Sequence, residues 1–164
     1  SVMPFESIWV WGRNRERAQA TADALRGQGL PAQAAQDLDQ TLAQADVVAV
    51  ATTASAPFIA ADAVRPGTHL GLVGAFTPRM AEAEPALMAR VQLFADHRGA
   101  VIEKGGEVWM ALQQGLIAPT AIEAELATAA ADSSAKSSSS TVIQPVQGIR
   151  PTSGSSSNSA VSQS

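Results

Sequence analysis

Cysteine and tyrosine are absent from the 164 residues, and histidine occurs only as His69 and His97. Without thiols there is no disulfide framework and no thiolate metal site, and a reducing, cytoplasmic setting is the expected one. The two histidines fall on different predicted elements without ligand-like spacing, so no metal centre is predicted. No apolar run approaches the roughly 20 residues that a membrane-crossing helix needs. Residues 1–6 also lack the basic start and apolar stretch of a secretory leader. Fifteen acidic residues against eleven basic ones leave a formal charge of -4, which argues against a surface built to neutralise nucleic-acid phosphates.

Aromatic residues are scarce as well. Three Trp and four Phe all lie within residues 5–109, whereas residues 132–164 hold 13 Ser and no aromatic. A stretch of that composition cannot bury enough apolar surface to offset its ordering entropy. Two regions are therefore expected. Residues 1–131 form a packed body, one ordinary domain or part of a larger one. Residues 132–164 form a disordered Ser-rich tail, with one apolar island at Thr141, Val142 and Ile143.

Within the body, the β-branched and aromatic run 7–11 (SIWVW) predicts a strand. Residues 15–28 predict a helix with Ala18, Ala22 and Leu25 on one face, stopped by Gly27, Gly29 and Pro31. A weak strand follows at 32–35, then a short helix to 45 with Asp37 as its N-cap. The run DVVAVATT from Asp46 is uniformly apolar over about six residues, which fits a parallel strand covered on both faces. A second buried strand is predicted at 69–73, closed by Gly74. Residues 80–89 read as helix interrupted by Pro85, residues 91–95 as strand, and residues 97–131 as helix broken at Gly105, Gly106 and between Gly115 and Pro119.

Strands alternating with helices call for parallel units and a Rossmann-like sheet. In that fold a dinucleotide's pyrophosphate rests on a Gly-rich turn between the first strand and the first helix, because only Gly lets the backbone approach closely. The sequence has no G-x-G-x-x-G, and residues 1–6 are too few to hold a strand, turn and helix. The predicted fold is thus α/β: a truncated Rossmann-like parallel sheet lacking its first strand and Gly-rich turn. In the usual 3-2-1-4-5-6 order the missing strand is central. The strands at 7–11 and 46–51 would then stand roughly 10 Å apart, two strand spacings, unless the sheet closes up.

The strand at 7–11 ends in Gly12, Arg13 and Asn14 without an acid. An acid at that point of a dinucleotide fold binds the ribose hydroxyl of NAD, whereas Arg accommodates the additional phosphate of NADP. Arg13 and Asn14 therefore point to NADP, with NAD as the other option. Arg15 and Arg17 read as solvated first-turn residues. Thr52, Thr53 and Ser55 stand at a strand end as potential ligand groups or as hydroxyls that satisfy turn backbone. His69 reads as a packing or edge residue, and Asp96 and His97 as either ligand groups or a helix cap. Glu103 and Glu107 read as a solvated helix face, and Trp109, Met110 and Leu112 as packing residues.

Four segments in order, V-W-G-R-N-R-E-R-A (10–18), A-D-V-V-A-V-A-T-T-A-S-A-P (45–57), P-G-T-H-L-G-L-V-G-A-F-T-P-R-M-A-E (66–82) and A-D-H-R-G-A-V-I-E-K-G-G-E (95–107), resemble the ornithine cyclodeaminase/μ-crystallin family. The G-A-F-T-P variant is most similar to its reductases of Δ1-pyrroline-2-carboxylate and Δ1-piperideine-2-carboxylate. The resemblance implies that Gly12, Arg13 and Asn14 contact the adenosine phosphate, that Thr52, Thr53 and Ala54 lie along the cofactor, and that Val73 and Gly74 approach its nicotinamide side. It assigns no catalytic residue to this chain. The cyclodeaminases carry an Asp two residues after the V-G glycine. Phe76 stands there, which favours hydride transfer to an imine over deamination.

The resemblance also implies an N-terminal α/β domain in relatives, which builds the substrate pocket and the homodimer interface. Relatives continue past the position of Leu126 with an F-K-S-V-G strand-turn and a closing helix, where this chain has residues 141–147 and the Ser-rich tail. The expectation is a fragment of an NAD(P)H-dependent cyclic imino acid reductase, inactive alone, with a small imino or amino acid as the relatives' substrate. A non-catalytic NADP-binding module of the μ-crystallin type, or an interaction fragment that complements a separate N-terminal half, is the alternative.

Overall fold

The computed structural model describes residues 5–125 and 141–144. In chain order the elements are β1 (Ile8–Val10), α1 (Arg15–Gly27), β2 (Ala32–Ala34), α2 (Leu38–Leu42), β3 (Val47–Val50), β4 (His69–Leu72), a 3-10 helix (Pro85–Ala89), β5 (Gln92–Ala95), α3 (Arg98–Lys104), α4 (Gly106–Gln113), a second 3-10 helix (Pro119–Ala121), β6 (Ile122–Glu125) and β7 (Thr141–Gln144). Every strand pairing is parallel. The fold is α/β, with the strand–helix alternation that the sequence predicts.

The strands form two sheets. β1 pairs with β2, and the other five take the order β3-β4-β7-β5-β6. β1 and β3 do not pair with each other, and each has a single strand partner among the described residues. The apolar centre lies in the larger sheet and its cover, where Leu70, Leu72, Leu87, Met88, Leu93 and Ile122 are all at most 2% exposed. Burying side chains of this size contributes about 1.5–3 kcal/mol each. Around β1 and β2 the buried residues are Ala18, Ala22 and Ala32, so α1 lies close on its strands through small side chains.

Local chemistry sets the helix ends. Asn14 caps α1 by accepting from the Arg17 N–H at 2.9 Å, and Asp37 caps α2 by accepting from Gln40 N–H at 2.9 Å. The chain leaves α1 through Gly29 at φ +82°, while Leu30 N–H donates to the Leu25 carbonyl at 3.1 Å, the bonding pattern of a glycine-terminated helix.

Four expectations are corrected. Residues 80–84 form no helix, with a parallel bridge between Ile59 and Ala83, and Pro85 begins a 3-10 helix instead of interrupting a longer one. Proline suits a first helical position because its missing N–H would be unpaired there anyway. The helix expected through 131 gives way to β6 at Ile122–Glu125, paired in parallel with β5. Ala, Glu and Leu favour helix locally, and pairing with a buried strand overrides that preference. β3 is not covered on both faces: Val47 is 47% exposed and Ala49 on the same face is exposed, whereas Val50 is only 7% exposed. Disorder over 132–164 does not hold for Thr141–Gln144, which forms β7 between β4 and β5. Backbone pairing on both sides supplies what its short apolar run lacks. The rest of that tail lies outside the described residues.

Candidate functional site

Parallel strands direct all their C-terminal ends to one side, and ligands of open α/β sheets collect there. The residues singled out in the sequence fall into two groups, each at the C-terminal end of strands of one sheet. The first follows β3 and β4. Thr52 is half-buried, Thr53 exposed, and Ala54 buried, and the Thr52 hydroxyl accepts from the Ala54 N–H at 3.2 Å. That bond is the turn-satisfying role open to a strand-end threonine. Val73 N–H donates to the Val50 carbonyl at 2.8 Å and prolongs the β3–β4 ladder. Gly74 is buried, and a Cβ there would collide with the Thr52 carbonyl oxygen and with Glu82 Oε1.

One carboxylate binds this group together. Glu82 accepts the Thr52 N–H on Oε1 at 2.5 Å and the Gly74 N–H on Oε2 at 2.8 Å. Glu82 is fully buried, as is Glu107, whose Oε1 accepts from the main-chain N–H groups of Glu82 and of Ala83. Glu107 therefore belongs to the interior and not to the solvated face expected for it, whereas Glu103 is exposed as expected. Burial of a carboxylate is tolerated where donors satisfy it, and here the donors come from a segment 25 residues away. The Gly105-Gly106 pair was the available signal: a Cβ on Gly106 would collide with the Met80 carbonyl, so this turn brings α4 against the segment that Glu107 binds. Nothing in the residues around Glu82 announces its role.

The second group follows β1. Gly12 is half-buried, and Arg13 and Asn14 are exposed. Asn14 caps α1 with its side-chain oxygen. A Cβ on Gly12 would make only ordinary contacts, 3.7 Å from the Asn14 carbonyl oxygen and 3.8 Å from the Ala18 Cβ, so no close approach requires glycine there. The rings of Trp11 and Phe58 stack at 5.4 Å with an interplanar angle of 19°. They join the segment after β1 to the loop after β3.

The other candidates resolve plainly. His69 is exposed at the start of β4. His97, not Asp96, caps α3, its Nδ1 accepting from the Ala100 N–H at 3.2 Å, while Asp96 accepts from the His97 N–H. Among the described residues there is no group of three His, Cys, Asp or Glu arranged to hold a metal ion, and no helix is long and apolar enough to cross a membrane. A groove of about 430 Å³ runs along α1 and the end of β2 past Arg15, Gln19, Asp23 and Ala35, and includes none of Gly12, Arg13, Asn14, Thr52, Thr53, Ala54, Val73 and Gly74.

The ornithine cyclodeaminase/mu-crystallin family model matches residues 1–142. The chain belongs to that family. It is 39% identical over 127 residues to a Delta(1)-pyrroline-2-carboxylate reductase of Paracoccus denitrificans, across 77% of this chain and 40% of the relative. It is 30% identical over 104 residues to the ketimine reductase mu-crystallin of Rattus norvegicus, across 63% of this chain and 32% of the relative. Among solved structures, the iminosuccinate reductase of Paracoccus denitrificans in complex with NAD+ superposes with a TM-score of 0.79 at 29% identity, covering 88% of this chain and 44% of that one. The chain thus spans between 32% and 44% of the length of these three relatives.

Proposed function

We propose that this chain is the dinucleotide-holding portion of an NAD(P)H-dependent reductase of cyclic imino acids, and that it takes NADP in preference to NAD. Family membership and the reductases among its relatives support the reaction class. The observation that carries the cofactor choice lies at the start of α1. Arg13, Arg15 and Arg17 are exposed, and no guanidinium of the three has a hydrogen-bond or ion-pair partner among the described residues. Cations at a helix N-terminus oppose the helix dipole by up to about 1 kcal/mol each, and a phosphate bound between them reverses the sign of that interaction. In this reading Arg13 takes the adenosine 2′-phosphate, Gly12 lines the same end, and Asn14 holds the helix start in shape. Thr52, Thr53 and Ala54 lie along the cofactor, and Val73 and Gly74 approach its nicotinamide end.

When bound, the cofactor supplies hydride from C4 of its nicotinamide to an imine carbon. The chain's own part is to hold and orient. Phe76, 40% exposed beyond β4, gives the rim an apolar ring where the cyclodeaminases carry a carboxylate, which supports reduction over deamination. The second edges of β1 and β3 are unpaired among the described residues. They support a reading in which the Gly-rich turn and the substrate shell come from polypeptide outside these residues, so that residues 1–131 act as a partial NAD(P)-binding domain that binds without turnover alone. A segment that adds a parallel strand is then the expected polypeptide partner.

Thermal melting of the 164-residue protein with NADPH and with NADH tests this. Saturation at a hundred times Kd stabilises by about 2.7 kcal/mol, so NADPH raises Tm and NADH raises it less. Arg13→Ala abolishes the difference between the two. Equal shifts with both cofactors in the parent protein overturn the NADP preference, and no shift with either overturns cofactor binding by this chain.

A further inference from the structure

The register of β3 and β4 pairs Val50 with Leu72, so Thr52 and Gly74 stand opposite each other where the ladder ends. Strands at such an end are free to splay, because their next N–H groups have no strand partner. Here the two N–H groups meet the two oxygens of one side chain, that of Glu82. The rest of Glu82 is equally committed. Its carbonyl accepts from the Phe58 and Ile59 N–H groups, each at 3.0 Å, and its N–H donates to Glu107 Oε1. α4 thereby holds the Glu82 backbone, and Glu82 holds two strand ends. The close fit leaves no room for a side chain at position 74.

We propose that Glu82 is a positioning residue: its carboxylate fixes the ends of β3 and β4 at one separation and so shapes the rim that receives the nicotinamide half of the cofactor, with Glu107 holding Glu82 in place. This rests on the cofactor reading above. Two acceptor oxygens are the property required. A glutamine of equal size offers one oxygen and turns an NH2 donor toward the other N–H, so Glu82→Gln releases one strand end without opening a cavity.

Two measurements on the full chain separate this role from general stability. Backbone amide exchange followed by NMR should quicken about 100-fold or more at Thr52 or Gly74 in Glu82→Gln, with the β1–β2 amides unchanged. Affinity for NADPH should fall about tenfold or more while affinity for adenosine 2′,5′-bisphosphate, the phosphate-bearing adenosine half, stays the same. In the parent protein NADPH should shift the Thr52 and Gly74 amide resonances and the bisphosphate should not, a result that stands even if the variant fails to fold. Unchanged exchange at both amides in a folded variant, equal losses for both ligands, or strand-end resonances indifferent to NADPH overturn the proposal. If the parent protein binds neither ligand, the cofactor reading falls and the rim assignment falls with it, while the exchange data still decide whether Glu82 clamps the strands.

Discussion

The unit made by α1, β1 and β2 finds its side-chain partners close by in sequence, whereas the five-stranded sheet finds them far away. In the former, Asn14 bonds to Arg17, Gln19 to Asp23 and Arg26 to Asp23, all three or four residues apart and exposed. In the latter, Glu82 reaches Thr52 across 30 positions and Glu107 reaches Glu82 across 25. Their interiors differ in the same sense: three alanines in one, and Leu, Met and Ile in the other. Alanine buries little area, so the smaller unit depends on helix propensity and caps. The larger sheet depends on contacts that exist only once the chain has closed on itself. Contacts of the first kind need no closure of the chain, and the unit they hold is the one that displays Arg13, Arg15 and Arg17 at its surface.

This contrast is best attacked first where the larger sheet is densest. Leu93, 2% exposed on β5, should cost about 2–5 kcal/mol of unfolding free energy as Leu93→Ala, read from urea denaturation. A loss below about 1 kcal/mol would mean that this core relaxes as easily as the alanine layer under α1. Gly106→Ala places a methyl against the Met80 carbonyl and should cost about 1–3 kcal/mol, visible as a lowered Tm. In the smaller unit, Asn14→Ala removes the α1 cap and should cost about 0.5–2 kcal/mol. Thermal melting reads that loss, and setting it beside the loss at Leu93 sharpens the division between a unit held by its caps and one held by its interior. The smallest effect belongs to Asp46→Asn: the Arg65–Asp46 pair joins side chains 42% and 88% exposed, so its loss should change stability by less than about 1 kcal/mol.

How legible these features were in the sequence follows the same division. The start and stop of α1, the cap at Asp37 and the strands β3, β4 and β5 announce themselves through neighbours within a few positions. β6 does not, because A-I-E-A-E spells helix locally and becomes strand only beside β5. β7 hides in a serine-rich stretch for the same reason. The strand-end positions Thr52 and Gly74 were readable from the family-like segments around them, but the carboxylate that joins them was not. A buried glutamate is legible only with its donors, and those lie on other elements.

The placement of β7 bears on how the protein is born. Among the described residues it is the last strand and the middle strand of its sheet, with His69 aligned to Thr141 on one side and Gln92 to Thr141 on the other. Translation delivers β4 and β5 well before the strand that must come between them, so the sheet cannot close until residue 144 has cleared the ribosome. During that interval two apolar strand edges wait, the kind of exposure that chaperones recognise. Native topology here makes closure of the larger sheet wait on a strand that follows β5 by 45 residues of chain.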